Sequence, residues 1–164
     1  MPNTTFATHI CPVTIEFAQG RVTRLTLHGR EDAVVVETSV TTPVWLQQLV
    51  ARVQRHMAGE QQDFQDVRVD LEGRSEFARS VYAALHKVPA GETISYGKLA
   101  TRVGRLNAAR GVASTMAANP VPLIIPCHRV VGARGQLTGF SGADGLATKA
   151  QMLAAEGALS LATH

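Results

Sequence analysis

The sequence predicts an α+β protein with a small N-terminal antiparallel sheet packed against a helix, and a mainly helical C-terminal part. Three observations indicate this architecture. Short runs of β-forming residues separated by turn signals occupy residues 12–40, apolar spacings of three and four dominate the later segments, and the charge balance changes sign near residue 73. We therefore expect an N-terminal domain over residues 1–73 and a C-terminal domain over residues 74–164.

The composition predicts a globular protein with a substantial core. The chain has 164 residues, of which 45% are hydrophobic, and no stretch of 18 uncharged apolar residues or basic leader followed by an apolar run is present. We expect no membrane contact and a cytoplasmic location. Cys11 and Cys127 are too few for a disulfide framework, so both are expected to be reduced thiols.

Charge is distributed unevenly along the chain. Residues 74–134 contain nine Lys or Arg, Arg129 among them, and two Glu, a balance of 9 − 2 = +7, whereas the remainder carries 7 − 11 = −4. A basic half beside an acidic half is typical of a protein whose one face meets a polyanion. A solvated basic surface without a partner is the alternative.

The N-terminal segments predict an antiparallel meander followed by a helix. Strands are expected at Val13–Phe17, Val22–Leu27 and Val34–Val36. Thr42 is the expected N-cap, with Pro43 at the first helical position. The apolar helix face comprises Leu46, Leu49, Val50, Val53 and Met57. His9, Cys11 and His28 lack the spacing of metal ligands, so we interpret them as structural and expect no metal.

A polar, acidic segment over residues 59–73 is expected to cross between the two parts in extended form. Ser75 then caps a second helix, which the Pro89-Ala90-Gly91 turn stops. Its apolar residues recur on one face and predict core packing: Phe77, Val81, Ala84, Leu85 and Val88.

Two short helices, capped by Ser95 and Asn107 and separated by a turn at Gly104, form a helix-turn-helix candidate. Helical rotation places one cation and three small residues on a stripe of the second helix: Arg110, Ala113, Ser114 and Ala117. Small side chains would let the backbone approach a surface closely. The alternative is that this stripe packs against another helix.

Cys127 is the candidate nucleophile, because Pro126 precedes it and His128 follows it in an extended segment between apolar runs. An enzyme that uses a thiolate must lower the pKa of the thiol. Since neighbouring residues on extended backbone point to opposite faces, His128 would act through a water, with Glu156 orienting its ring. A buried cysteine beside an incidental histidine is the alternative, and a cysteine hydrolase is disfavoured because no oxyanion-hole motif is present.

An ordered set of motifs resembles the O6-alkylguanine-DNA alkyltransferases. The motifs are Ser95-Tyr96-Gly97, Ala108-Ala109-Arg110, Asn119-Pro120, Pro126-Cys127-His128-Arg129-Val130 and Glu156-Gly157. The resemblance covers about residues 77–157 and is faint before them. It implies a ribonuclease-H-like N-terminal domain and a winged-helix-like helix-turn-helix in the C-terminal domain.

The resemblance implies direct-reversal DNA repair. The alkyl group on guanine O6 would move irreversibly to Cys127, after the nucleotide has rotated out of the duplex, and each molecule would react once. A polarisable thiolate suits displacement at carbon, and no cofactor is implied. The expected partner is double-stranded DNA containing O6-alkylguanine, bound through the minor groove by a protein that is monomeric in solution, with cooperative binding along DNA left open.

The resemblance also implies residue roles. Cys127 accepts the alkyl group, and His128 with Glu156 serves as the base. Tyr96 contacts DNA and donates a hydrogen bond or a proton to the departing guanine. Arg110 fills the gap that the nucleotide leaves in the duplex, and Ala113, Ser114 and Ala117 contact the DNA beside it. Asn119 is a hinge, and the Ser141 backbone would bond O6. The other implied pocket residues are Pro122, Val130, whose carbonyl would read the guanine amine, Phe140, and Lys149, which would hold the loop.

Two departures from the family pattern concern the loop over residues 139–145. Phe140 stands where the family commonly has tyrosine, and extra residues split the usual pair of glycines. The altered loop leaves open a lesion-binding protein that recognises alkylated DNA without transfer. Cys127 favours transfer, because non-transferring relatives have tryptophan at that position.

Overall fold

The N-terminal part is a three-stranded antiparallel sheet followed by a helix. This computed structural model describes residues 2–32, 42–140 and 142–158. The strands are β1 (Asn3–Phe6), β2 (Val13–Ala18) and β3 (Arg21–Leu27), with β2 in the centre. The meander is confirmed for β2 and β3, and the predicted strand at Val34–Val36 lies outside the described residues. Sequence analysis missed β1, whose polar Asn-Thr-Thr start gives no alternating apolar signal.

Helix α1 spans Val44–Met57 and packs its apolar face inward. Leu46, Leu49, Val53 and Met57 are buried, as predicted, and Val50 is partly buried. The predicted cap is wrong: Pro43, not Thr42, is the N-cap, and no side chain caps the helix. Thr42 contributes its carbonyl oxygen instead, which accepts a 2.9 Å hydrogen bond from the Gln47 side chain.

The C-terminal part contains four α-helices in the segments that the structure describes: α2 (Glu76–His86), α3 (Tyr96–Arg102), α4 (Ala109–Ala117) and α5 (Leu146–Ala155). The Ser75 and Ser95 caps are confirmed, since each hydroxyl accepts a 3.1 Å hydrogen bond from the backbone N–H three residues later. The Asn107 cap is wrong: Ala108 is the N-cap of α4 and makes no side-chain bond. The turn between α3 and α4 passes through Gly104 at φ 76°.

The two parts share one hydrophobic core. It extends from Phe6 and Val13 in the sheet to Met152 in α5. The crossing segment over residues 59–73 is tied to the sheet where Val69 pairs with Val22, and Phe64 is buried. Strand β4 (Ile94–Ser95) pairs in parallel with β5 (Val130–Val131) beneath the helices. The domain boundary at residues 73/74 stays a prediction. No helix in the described part of the chain is long and apolar enough to span a membrane.

Candidate active site

The backbone that presents Cys127 is a tight turn followed by a 3-10 turn, and not the extended segment that the sequence predicts. The Ile125 N–H donates to the Val121 carbonyl at 3.0 Å, and Leu123 adopts φ 76°. Cys127–Arg129 then forms a single 3-10 turn. Prolines occupy positions 120, 122 and 126 of this segment, but the backbone bends between them. As a result, Cys127 and His128 are no longer obliged to point to opposite faces.

Asn119 connects the end of α4 to the turn before Cys127. Its side-chain amide donates to the Ile125 carbonyl at 2.8 Å, and its side-chain oxygen accepts from the Val121 N–H at 3.0 Å. One side chain therefore holds both ends of the turn. These two bonds link the end of α4 to the residues just before Cys127.

Cys127 opens onto a cavity of about 500 Å³ between β3, α4 and the glycine-rich loop. Seven of the predicted site residues line it: Tyr96, Ala113, Ala117, Asn119, Pro122, Cys127 and Phe140. The remaining wall includes Arg24, Leu25, Thr26 and Leu27 of β3, which sequence analysis missed. No chemical motif marks these strand residues, so only their position in the fold assigns them to the cavity.

The small-residue stripe of α4 faces away from the core. Arg110, Ala113, Ser114 and Ala117 are all exposed, whereas the opposite face of the helix is buried through Val112, Thr115 and Met116. The alternative in which the stripe packs against another helix is therefore wrong. The stripe is free to meet an external surface beside the cavity mouth.

A buried polar cluster lies behind Cys127 and is centred on Glu156, at the C-terminal end of α5. The His128 and His56 Nε2 atoms each lie 2.8 Å from Glu156 Oε2. Arg129 donates to both carboxylate oxygens, at 2.9 Å from Nε and 2.7 Å from Nη2, and from Nη1 to the Val88 carbonyl at 2.6 Å. These four side chains, which we call the Glu156 cluster, are 0–5% exposed.

The Glu156 cluster contains one expected contact and two unexpected members. The hydrogen bond between His128 and Glu156 is present. Arg129 was counted with the basic surface, but it is 5% exposed and its charge faces Glu156. His56 comes from α1, 100 residues before its partner. No sequence signal links His56 to Glu156, because the fold brings them together.

Burial is the main influence on the pKa values of Cys127 and His128. It raises the pKa of the Cys127 thiol, against the lowering effects of the Asn119 hydrogen bond and the Lys149 charge. Burial also lowers the pKa of His128, against the opposing effect of Glu156. The expectation of a lowered cysteine pKa is thus wrong for this structure. In this structure Cys127 is therefore a thiol and His128 a neutral imidazole.

Glu156 remains ionised although it is buried. Burial acts to raise its pKa, but the hydrogen bonds from His128, His56 and Arg129 outweigh this effect and hold the pKa well below its usual range. Within the described residues, His128 Nδ1 has no hydrogen-bond partner. This leaves the ring nitrogen that does not face Glu156 available as a proton acceptor.

Lys149 lies beneath the loop and is fully buried. Its ammonium group donates to the Val130 carbonyl at 2.6 Å and to the Thr138 carbonyl at 2.7 Å, and burial lowers its pKa to about 8. Neither Val130 nor Lys149 lines the cavity. Lys149 therefore contacts the start of the loop from below, and one lone pair of the Val130 carbonyl is already used.

The loop over the cavity is held by Tyr96 and by the sheet. Tyr96 Oη lies 3.4 Å from both the carbonyl and the hydroxyl oxygen of Thr138. On the other side, the Ala143 N–H donates to the Leu27 carbonyl at 3.0 Å, and Asp144 accepts a 3.2 Å bond from the Arg30 N–H. Ser141 lies outside the described residues.

No group of three or more His, Cys, Asp or Glu side chains able to hold a metal occurs in the described ranges. His28 is hydrogen-bonded to the Thr14 hydroxyl at 2.7 Å, and Cys11 is a buried free thiol. The described site brings together a thiol and a phenol in the cavity wall, with a buried imidazole–carboxylate pair adjoining the thiol in the chain.

Comparisons with known proteins connect this site to a repair family. Residues 76–158 match the family model described as the DNA binding domain of 6-O-methylguanine DNA methyltransferase. The chain is similar to the methylated-DNA--protein-cysteine methyltransferase of Methanosarcina acetivorans, with 37% identity over 131 residues, 80% of this chain and 81% of that protein. It is 46% identical to the protein of the same name from Mycolicibacterium paratuberculosis over 107 residues, 65% of this chain and 62% of that protein.

A solved structure confirms the mixed α/β fold. The crystal structure of Mycobacterium tuberculosis OGT in complex with DNA superposes with a TM-score of 0.78 at 35% sequence identity, and the match covers 94% of this chain and 92% of that one. The small antiparallel sheet and the helices that surround the cavity thus follow an architecture that is known in a complex with DNA.

Proposed function

Because the chain belongs to the 6-O-methylguanine DNA methyltransferase family, we propose that it repairs DNA by direct reversal of guanine O6 alkylation. The alkyl group would move from guanine to Cys127 in one irreversible step. The observation that carries this proposal is the position of Cys127, which opens onto a cavity beside an exposed small-residue helix and has the Glu156 cluster behind it.

The transfer balances without a cofactor. The Cys127 proton passes to His128, through a water that contacts Nδ1, while the carboxylate of Glu156 stabilises the imidazolium. The sulfur then bonds the alkyl carbon, and the electron pair of the broken C–O bond stays on guanine O6. Guanine regains one proton from the Tyr96 hydroxyl at the cavity wall, and the resulting phenolate is reprotonated through solvent, which takes up the proton released by the His128 imidazolium. The thioether product has no leaving group, so each molecule reacts once.

The substrate guanine must leave the base stack, because its O6 alkyl group is inaccessible to a buried thiol inside a duplex. The cavity lies directly beside the exposed stripe of α4, since Ala113 and Ala117 belong to both. We propose that α4 enters the minor groove, that Arg110 occupies the gap in the duplex, and that the rotated nucleotide enters the cavity. Asn119 and Pro122 would form its inner wall and Phe140 its loop wall, with the Ser141 backbone bonding O6.

Affinity for DNA is proposed to come from phosphate contacts, because the stripe has few groups that could read bases. The exposed cations Arg102, Arg105 and Arg110 surround the helix-turn-helix, whereas Arg129 is buried and does not belong to this surface. We propose that a single copy of the chain performs the reaction. The winged-helix-like description of α3 and α4 and the ribonuclease-H-like description of the sheet belong to the same proposal.

The direct test is the mass of the protein after incubation with duplex DNA containing O6-methylguanine. We expect one added methyl group, located on the peptide that contains Cys127. Cys127→Ser should remain unmodified, whereas Cys11→Ala should react like the unaltered protein, because Cys11 lies outside the cavity wall. Tight binding of alkylated duplex with no change in mass would instead indicate a lesion-binding protein without transfer.

A further inference from the structure

His56 makes the contact that links the N-terminal part to the chemistry at Cys127. It lies in the last turn of α1, is 2% exposed, and places Nε2 2.8 Å from Glu156 Oε2. The same oxygen lies 2.8 Å from His128 Nε2 and accepts a 2.7 Å bond from Arg129. Glu156 Oε2 is thus shared by three donors, of which His56 alone comes from outside the C-terminal part.

The protonation of His56 follows from its second hydrogen bond. The Gln62 backbone N–H donates to His56 Nδ1 at 3.0 Å, so Nδ1 is an acceptor and carries no proton. The ring is therefore neutral, and its proton is on Nε2, which donates to Glu156. His56 supplies a hydrogen bond without adding a positive charge to the cluster.

The ring of His56 is held in place by its surroundings. Phe64 packs edge-on against it with ring centroids 5.3 Å apart. The guanidinium of Arg52, one turn earlier on α1, lies over the Phe64 ring at 5.3 Å from its centroid and pairs with Asp66 at 2.9 Å. The Gln61 side chain also donates to the Glu156 backbone carbonyl. The crossing segment thus fixes both His56 and the end of α5.

We propose that His56 is a positioning residue for alkyl transfer, which holds Glu156 Oε2 and thereby sets how strongly the carboxylate attracts a proton onto His128. The proposal rests on the function proposed above. His56 does not touch the cavity and acts only through Glu156 and His128. The N-terminal part would then regulate the base as well as form a cavity wall through β3.

The direction of the effect follows from the charges around the carboxylate. Three side chains face the Glu156 carboxylate: His56 from α1, and His128 and Arg129 from the 3-10 turn. The charge of Lys149 on α5 acts instead to lower the pKa of Cys127. Losing the His56 donor would leave more negative charge on Oε2 to stabilise the imidazolium form of His128. Since transfer needs neutral His128 as the base, the acidic limb of the reaction should move to higher pH.

Two substitutions separate this role from a merely structural one. In His56→Gln, the longer amide can place an N–H where Nε2 lies and retain the bond to Glu156. In His56→Asn, the shorter amide can reach only the position of Nδ1, so it can accept from Gln62 but cannot donate to Glu156. Both variants would be compared with the unaltered chain for thermal unfolding and for the single-turnover rate on O6-methylguanine duplex between pH 5 and pH 9.

We expect the acidic limb of the pH–rate profile of His56→Asn to move up by about one pH unit, so that its rate at pH values within this limb is roughly tenfold slower than that of the unaltered chain. The profile of His56→Gln should match that of the unaltered chain. Identical profiles for all three proteins would overturn the inference. An equal shift in both variants would do the same, since it would show that only packing matters. If the unaltered protein is not alkylated on Cys127 at any pH, the proposed function itself fails.

Discussion

The exposed face of α4 and the Glu156 cluster differ in side-chain size, charge and burial. The helix presents alanines and a serine to the outside, with Arg110 as the single cation of its stripe. The cluster encloses a carboxylate, a guanidinium and two imidazoles that are at most 5% exposed. Small side chains and one cation thus face solvent on α4, whereas four ionisable groups of the cluster are shielded from it.

The difference indicates that the two regions serve different requirements. Small exposed residues cost little in water and allow close approach to a partner. A buried ion pair, in contrast, adds little or nothing to stability over a well-packed apolar replacement, although losing one partner is costly. We infer that the cluster is present for orientation and proton transfer, and that the stripe is present for contact. The following substitutions test this contrast.

Glu156→Gln should have the largest effect. It leaves the buried Arg129 guanidinium without a counter-charge, so the free energy of unfolding should fall by about 3–5 kcal/mol. The matched control is Asp144→Asn, which breaks the more exposed pair with Arg30 at 3.6 Å and should cost about 0–1 kcal/mol. Urea denaturation followed by circular dichroism measures both. Equal losses would show that burial of the cluster has no energetic consequence.

Arg110→Ala should slow transfer from duplex DNA by about 5- to 150-fold, the range expected when a binding contact worth about 1–3 kcal/mol is lost. Reaction with the free base O6-benzylguanine should be nearly unchanged, because Arg110 does not line the cavity. Arg21→Ala, an exposed cation of the sheet, is the control for loss of charge. Equal slowing on both substrates would contradict the proposed role of Arg110 in the duplex.

Ser114→Leu should have the smallest effect. Ser114 is exposed on the stripe but does not line the cavity, so added bulk should hold α4 away from the groove without closing the pocket. We expect about tenfold weaker duplex binding, on the order of 1.4 kcal/mol, in a fluorescence anisotropy titration at fixed salt. Ser80→Leu on the exposed face of α2 provides the comparison. Unchanged affinity would mean that the stripe is not the contact surface.

Local signals predicted most of the helices and two of the strands, because periodicity and caps depend on near neighbours. Ser95 caps α3 since its backbone is extended, with ψ 158°, which aims its hydroxyl at the Lys98 N–H. Asn107 has the same cap chemistry, but α4 begins instead after Ala108, at φ −101° and ψ 23°, in a turn closed by a bond to Arg105. Asn107 is thus a suitable residue type for an N-cap, but the backbone does not place it at the N-cap position.

The sequence likewise predicted only part of the candidate site. The motif residues around Cys127 were found because they are adjacent in sequence, and the Glu156 partner of His128 lies within reach along the same part of the chain. The β3 wall and His56 were missed because strand and helix residues without a motif carry no mark of their tertiary neighbours. Arg129 was misassigned to the surface because charge alone does not report burial.

By itself, the sequence determined the candidate cysteine, the helix with its small-residue stripe and the sign of the charge near that helix. All three depend on residue identity and on spacing over a few residues. Only the tertiary structure decided that Cys127 has a raised pKa, that the stripe is exposed, and that His56 meets Glu156 across 100 residues. These are properties of burial and distance, which arise when remote segments pack together and exclude water.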